Sequence, residues 1–244
     1  MECLKNKKLR AKIEPFDTFW EAPEDIEKGF NTFGKFYQRN YLSHIPTKKD
    51  IRILVISCGP GYFVNLLRNL GYTDVLGIDS EEKKIKYAKE KQLNCKVTHA
   101  FDFLMESDEQ FDLIFGEQEI NHLTKDEILQ FLDLCRNKLN KNGMLIIHSL
   151  NGANPITGSE ALAQNFDHYN TFTDYSLKQV LEHVNFEDIK VIPLNLYIFY
   201  ENPLNYIGLV LDKLLNLTFM LSFIFYGKKN RIFTKKIAAI CKRQ

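Results

Sequence analysis

The sequence predicts an α/β fold: an open, mostly parallel sheet with helices on both faces. Three observations carry this prediction. Short, continuous apolar runs such as IRILVIS (51–57) and FDLIFG (111–116) suit strands buried on both sides. Stretches of helical periodicity separate them through short connections, the pattern of right-handed parallel crossovers. A glycine turn, Cys58-Gly59-Pro60-Gly61, follows the first run directly, where such sheets receive their ligands.

Size and composition agree. The chain has 244 residues, 45% of them apolar, enough for one large core, and we expect a single domain over 1–244. The formal net charge of +1 argues against a nucleic-acid binder, which carries a basic excess. Five cysteines (Cys3, Cys58, Cys95, Cys135, Cys241) are scattered and form no CxxC pair. That disfavours a disulfide framework or zinc knuckle and suits a reducing compartment. The first residues, MECLKNKKLRAKIEPF, hold no apolar run of secretory length, so the expectation is a cytoplasmic protein.

Each element then follows in order. Residues 24–45 carry Phe33, Phe36, Tyr37 and Tyr41 at helical spacing and predict an N-terminal helical cover. The core runs over 51–192. After the first strand, FVNLLRNLG reads as a helix that Gly71 ends. VLGID (75–79) is the second strand, followed by a helix with Ser80 as N-cap. CKVTHA (95–100) is the third and FDLIFG the fourth. A helix over 124–140 starts at Thr124, with Glu127 at capping-box spacing. Asn142-Gly143 turns the chain into a fifth strand, 144–150. TDYSLKQVLEHVNF gives a further helix, EDIKVIPL a sixth strand and 235–242 a seventh.

The candidate ligand site gathers at the strand ends. Gly59 and Gly61, next to Ser57, allow the backbone to approach a ligand, and the next helix points its N-terminus there. Asp79 ends the second strand, where a carboxylate can accept both ribose hydroxyls of an adenosine. The same residue also suits a simple anion at the start of the SEEKK helix. Asp102 is placed to face an adenine amino group with Phe103 over the ring, or else is a surface loop acid. A dinucleotide fingerprint begun at Gly59 would need its third glycine at Val64, so nicotinamide cofactors fit poorly.

These residues bring a resemblance with them. ILVISCGPGYF (53–63) resembles the first motif of class I S-adenosylmethionine (SAM)-dependent methyltransferases, and GIDSEEKKIKYA (77–88) their second. FDLIFGEQEINHL and LNKNGMLIIHSLNGANP resemble their fourth- and fifth-strand regions. The wider pattern over 35–192 is similar to a bacterial subgroup associated with surface-glycan biosynthesis. The resemblance implies a Rossmann-like seven-stranded sheet and SAM as cofactor. It further implies cofactor contacts at Tyr37, Ser57, Gly59, Gly61, Asp79, Ser80, Asp102, Phe103 and Glu117, and a sugar or glycan acceptor. Two departures stand out: Val55 and Ser57 occupy positions where that first motif usually has an acid and a glycine. Asn121-His122 replaces the Glu-His of metal-dependent relatives, so no metal is expected, although Glu117 and Glu119 lie close by.

Methylating a hydroxyl requires a base. His122, after the fourth strand, and His168, in the loop after the fifth, are the candidates, with Asn151, Asn154 and Tyr169 as acceptor contacts. The leading expectation is O-methylation of a sugar or glycan precursor. An N- or O-methyltransferase of another small metabolite and a SAM-binding protein without catalysis stay open beside it.

An apolar segment, 194–231, interrupts the core before the last strand. From Pro203 it reads as a helix of bilayer-spanning length. Asp212 and Lys213 near its middle, and the need to return to the sheet, argue against a simple crossing. Three roles are open: a wall of the acceptor pocket, a homodimer interface, or peripheral membrane contact through 203–231, on the inner face for a cytoplasmic protein.

Overall fold

The computed structural model describes residues 23–117, 119–163, 168–195 and 204–244. Residues 1–22, the loop positions 164–167 and the first part of the apolar segment, 196–203, lie outside the described residues, as does Gln118.

Seven strands form one sheet: β1 (Arg52–Ile56), β2 (Asp74–Asp79), β3 (Cys95–Val97), β4 (Phe111–Gly116), β5 (Leu139–Leu150), β6 (Glu187–Pro193) and β7 (Lys236–Lys242). Their order is β3-β2-β1-β4-β5-β7-β6. Strands β1 to β5 pair in parallel, while β7 runs antiparallel between β5 and β6. The seven-stranded, mostly parallel, Rossmann-like sheet is therefore the one expected. Along β1, Ile53 and Val55 enter the core on one face and Leu54 and Ile56 the core on the other. Period-two alternation between two buried faces is why the run is apolar throughout.

Helix α1 (Pro23–Tyr41) covers one face. Its Phe33 ring stacks on Tyr62 at 4.8 Å, and Tyr37 and Tyr41 pack on Phe63 and Phe115 at 4.7 and 5.0 Å. Burying each such ring contributes about 1.5–3 kcal/mol. Asn40 closes the cover by donating to Phe36 O and accepting from both nitrogens of Asn195. Helices α2 (Tyr62–Asn69) and α3 (Glu82–Glu90) share that face. On the other lie α4 (Ala100–Glu106), α5 (Lys125–Lys138) and α7 (Asp174–His183), with the short α6 (Gly158–Ala163) near the loop after β5.

Several boundaries follow the sequence signals. Gly71, at φ +87°, lets the chain leave α2. Thr124 caps α5 in a reciprocal box with Glu127. Others shift. Ser80 is not the N-cap of α3: Glu81 is, and its N–H goes to the Asp79 carboxylate at 2.8 Å, which does the capping instead. β3 stops at Val97 because Ala100 already begins α4, a helix the sequence did not announce. Asn142-Gly143 does not precede β5 but lies within it: Asn142 sits at φ +62° where the pairing with β4 changes register. Its turn chemistry makes a bulge, not a break.

The apolar segment contains α8 (Leu204–Phe225). It is moored by Asn216, which accepts the Phe233 N–H at 2.9 Å, and by Phe219 and Phe223 against the Phe233 ring.

Candidate cofactor and acceptor site

The chain runs β1, β2, β3 toward one edge and then crosses back to β4 on the other side of β1. A crevice opens at that switch, beyond the carboxyl ends of β1 and β4. The glycine turn lines it. Gly59 (φ +54°) faces open space: no other atom lies within 4 Å of where a β-carbon would stand. Gly61 (φ +87°) serves packing instead, since a β-carbon there would come 2.6 Å from Leu93 Cδ1. The two glycines do different work: one leaves room for a ligand, the other lets α2 pack against α3.

Asp79 is buried at the end of β2 and binds both sides of the crevice floor. Its Oδ2 accepts the Gly59 N–H and its Oδ1 the Glu81 N–H, each at 2.8 Å. The side chain stands at the start of α3, as the simple-anion reading expects, and each oxygen keeps a lone pair that a ribose hydroxyl could use. Burial, the largest influence, raises its pKa, and the two backbone N–H groups oppose that rise.

Ser57 adopts a left-handed backbone at φ +54°, a conformation that costs a non-glycine residue roughly 1–2 kcal/mol. Its hydroxyl donates to Glu119 Oε2 at 2.5 Å. Val55, the other departure, is fully inside the core. Glu117 accepts from the Tyr37 hydroxyl, and its Oε1 lies 3.6 Å from His148 Nδ1. Two carboxylates from the end of β4 therefore reach the turn after β1 and the ring of α1. Glu119 was not among the expected cofactor residues; its spacing two residues beyond Glu117 was the available signal.

The histidines come together. The His122 and His168 rings meet edge to face at 4.6 Å. His168 Nδ1 lies 2.7 Å from Ala161 O. A carbonyl only accepts, so Nδ1 carries the hydrogen and Nε2 keeps the lone pair. His122 follows directly on the 3₁₀ turn (Glu119–Asn121) whose Glu119 accepts from Ser57. Tyr169 is exposed beside His168, its N–H bonded to Asn121 O.

Other expected contacts go elsewhere. Asn151 is fully buried: it donates to Ile232 O and Thr234 O and accepts the Ala153 N–H. Asn154 donates to Phe233 O and accepts from Ile156 and Thr157. Both amides are spent on backbone groups and tie the loop after β5 to the approach to β7. Asp102 sits half-buried in the first turn of α4, and Phe103 packs toward Phe111 at 6.2 Å. Phe111 opens β4, at the edge of the sheet opposite the crevice, so the ring of Phe103 is not brought over the glycine turn. Ser80 is exposed next to Asp79.

Among the described residues, no three of His, Cys, Asp or Glu gather with metal-holding geometry. One small cavity of about 150 Å³ lies between α8 and the loop after β5, lined by Asn154, Ile156, Asp212, Asn216, Phe219 and Phe233 among others.

Comparison with known proteins now bears on this site. Residues 53–143 match the family model described as a methyltransferase domain. That span holds the glycine turn, Asp79, Glu117, Glu119 and His122. No curated protein matches by sequence. A SAM-dependent methyltransferase from Archaeoglobus fulgidus superposes with a TM-score of 0.65 at 19% identity, covering 91% of this chain and 100% of that one. A Thermotoga maritima SAM-dependent methyltransferase, described as a possible histamine N-methyltransferase, gives 0.61 at 16% identity, over 93% and 98%. A phosphoethanolamine N-methyltransferase from Haemonchus contortus, in complex with SAM, gives 0.55 at 15% identity, over 95% and 60%.

The residues present suit that cofactor. The outer lone pairs of Asp79 suit ribose hydroxyls, the open face of Gly59 admits a backbone-close ligand, and Glu117 and Glu119 suit a cationic amino-acid end. Residues 53–143 thus match a methyltransferase domain, and the whole chain shares the fold of the solved SAM-dependent methyltransferases.

Proposed function

We propose that the protein transfers a methyl group from SAM to a hydroxyl of a small polar acceptor, a sugar or glycan precursor being the class its sequence resemblance indicates. The observation that carries the cofactor half of this reading is Asp79, which joins the open glycine turn to the start of α3. SAM, when bound, supplies an electrophilic methyl group on a sulfonium. The rest falls to side chains of this chain. Glu117 and Glu119 take over the cationic end that the acid missing at Val55 would otherwise meet. His168, with Nε2 carrying the lone pair, accepts the proton an attacking hydroxyl must lose, and His122 packs against it. Holding acceptor and donor in line supplies much of the acceleration, and a positioned base adds about 10²–10⁴-fold.

The test is a calorimetric titration with SAM, S-adenosylhomocysteine and NAD, followed by assay of S-adenosylhomocysteine release with panels of sugar and amine acceptors. SAM should bind and NAD should not. Asp79→Asn places an amide NH₂ against one of two backbone N–H donors and removes a charged acceptor, so affinity should fall about 10–100-fold. Absence of SAM binding to the wild type would sink the whole reading. With a hydroxyl acceptor, His168→Ala should lower kcat by about 10²-fold or more. Turnover of an amine that survives His168→Ala and His122→Ala would support the second reading, N-methylation, since an amine needs no strong base. Binding without turnover of any acceptor would favour a SAM-binding protein that lacks catalysis.

A further inference from the structure

The outer face of α8 has no role in the site just described. The helix has two unlike sides. At 100° per residue, Asp212, Asn216, Phe219 and Phe223 form one stripe, which meets Phe233 and the small cavity. Val210, Leu211, Leu214, Leu217, Leu221 and Phe225 point away from it and are 48% to 89% exposed. With their neighbours they cover roughly half of the helix circumference. A contiguous apolar surface on this scale is uncommon on a soluble monomer and marks a docking surface. Of the two charges that break the segment, Asp212 faces the body and Lys213 is exposed.

We propose that this face lies in the surface of an anionic phospholipid bilayer, with α8 parallel to the membrane plane. Three observations choose lipid over other occupants. First, the helix cannot cross a bilayer while its inner stripe stays on Phe233, and both chain ends return to neighbouring strands, with Pro193 paired to Ile237. Second, the exposed arc is far wider than the a/d seam one partner helix covers, whereas a lipid surface wets the whole of it. Third, the charge is complementary. α8 ends at Phe225, and the chain turns away at Gly227 (φ +67°), where Lys228 N–H bonds back to Phe223 O. The exposed cations Lys228, Lys229 and Arg231 thus emerge beside Phe225 and Tyr226, the most exposed rings on the described surface. Apolar side chains with aromatic tips and an adjoining basic cluster are the composition of an interfacial helix. With a net charge of only +1, the attraction is local to this end of the molecule.

The experiment is flotation of the full chain with vesicles of phosphatidylcholine alone, or with about one part in four of phosphatidylglycerol. Binding to the anionic vesicles should exceed binding to neutral ones by about 100-fold, from roughly fivefold per cation. Joint Lys228→Glu, Lys229→Glu and Arg231→Glu substitutions should erase that difference. Joint Leu211→Gln, Leu214→Gln and Leu217→Gln substitutions should weaken binding to both vesicle types by more than about tenfold. All six positions are exposed, so folding is not at stake, and Met105→Gln, at an exposed apolar site elsewhere, should change nothing. No binding to anionic vesicles, or equal binding to both kinds, overturns the proposal. So does a lipid-free dimer that the glutamine substitutions dissociate, which would assign the face to a second copy of the chain.

Discussion

At the scale of single residues, chemistry was legible where the partner is near in sequence and hidden where it is far. Asp79 reaches Glu81 two residues on and Gly59 twenty residues back, in the turn of the adjacent parallel strand, and its place followed from strand and turn alone. Asn151 and Asn154 stand on the correct edge of the sheet, yet their partners lie about eighty residues on, at Ile232, Phe233 and Thr234. Nothing local reveals such a commitment. His148 is a similar case. It is fully buried among Phe36, Tyr41 and Glu117, with neither ring nitrogen hydrogen-bonded. Burial, then Lys236, hold its pKa well below 6.5, so the folded protein keeps it neutral. Above about pH 6.5 both states are neutral and its contribution is complete. Below that value only the unfolded chain takes up the proton, and stability is lost as pH falls, by up to about 1.4 kcal/mol per pH unit. His148→Phe should flatten this dependence in urea denaturation between about pH 5 and pH 7. An unchanged slope would mean that other groups set it.

At the scale of elements, capping signals gave boundaries and short elements escaped. The Thr124–Glu127 box is present as read, with Thr124 N–H donating to Glu127 Oε2 at 2.8 Å. α4 has only seven residues and no side-chain cap, so its sequence looks like a loop. It is helical because Phe101 and Leu104 bury against the second core. The bulge in β5 shows the same limit: Asn142-Gly143 has turn chemistry, and only pairing with β4 and β7 keeps the strand continuous. Thr124→Ala should cost about 1 kcal/mol, read as a lower urea midpoint at unchanged m-value. Glu127 is itself buried, so Glu127→Ala should cost at least as much, by leaving the Thr124 N–H and hydroxyl without their acceptor.

At the scale of the molecule, the sheet was legible because its apolar runs are strand-length and bounded by turn residues, while the place of α8 depends on topology. β6 and β7 are antiparallel neighbours, and Leu194 N–H bonds to Lys236 O, so a tight connection would have closed them. The long excursion between them is thus not required by the fold. Replacing residues 196–230 with about six Gly/Ser residues spans roughly 20 Å, enough to join Asn195 to Arg231 while keeping the segment 231–235 that holds Asn151 and Asn154. The sheet and SAM affinity should survive, because Tyr37 lies on α1, Asp79 ends β2, and Ser57, Gly59, Glu117 and Glu119 lie in the turns after β1 and β4. Melting should come earlier, since buried Phe233 loses Phe219 and Phe223, a loss of about 1.5–3 kcal/mol. Vesicle binding should vanish with the helix. A shortened chain that no longer binds SAM would place α8 within the catalytic core, and its exposed face would then need an explanation tied to the acceptor rather than to lipid.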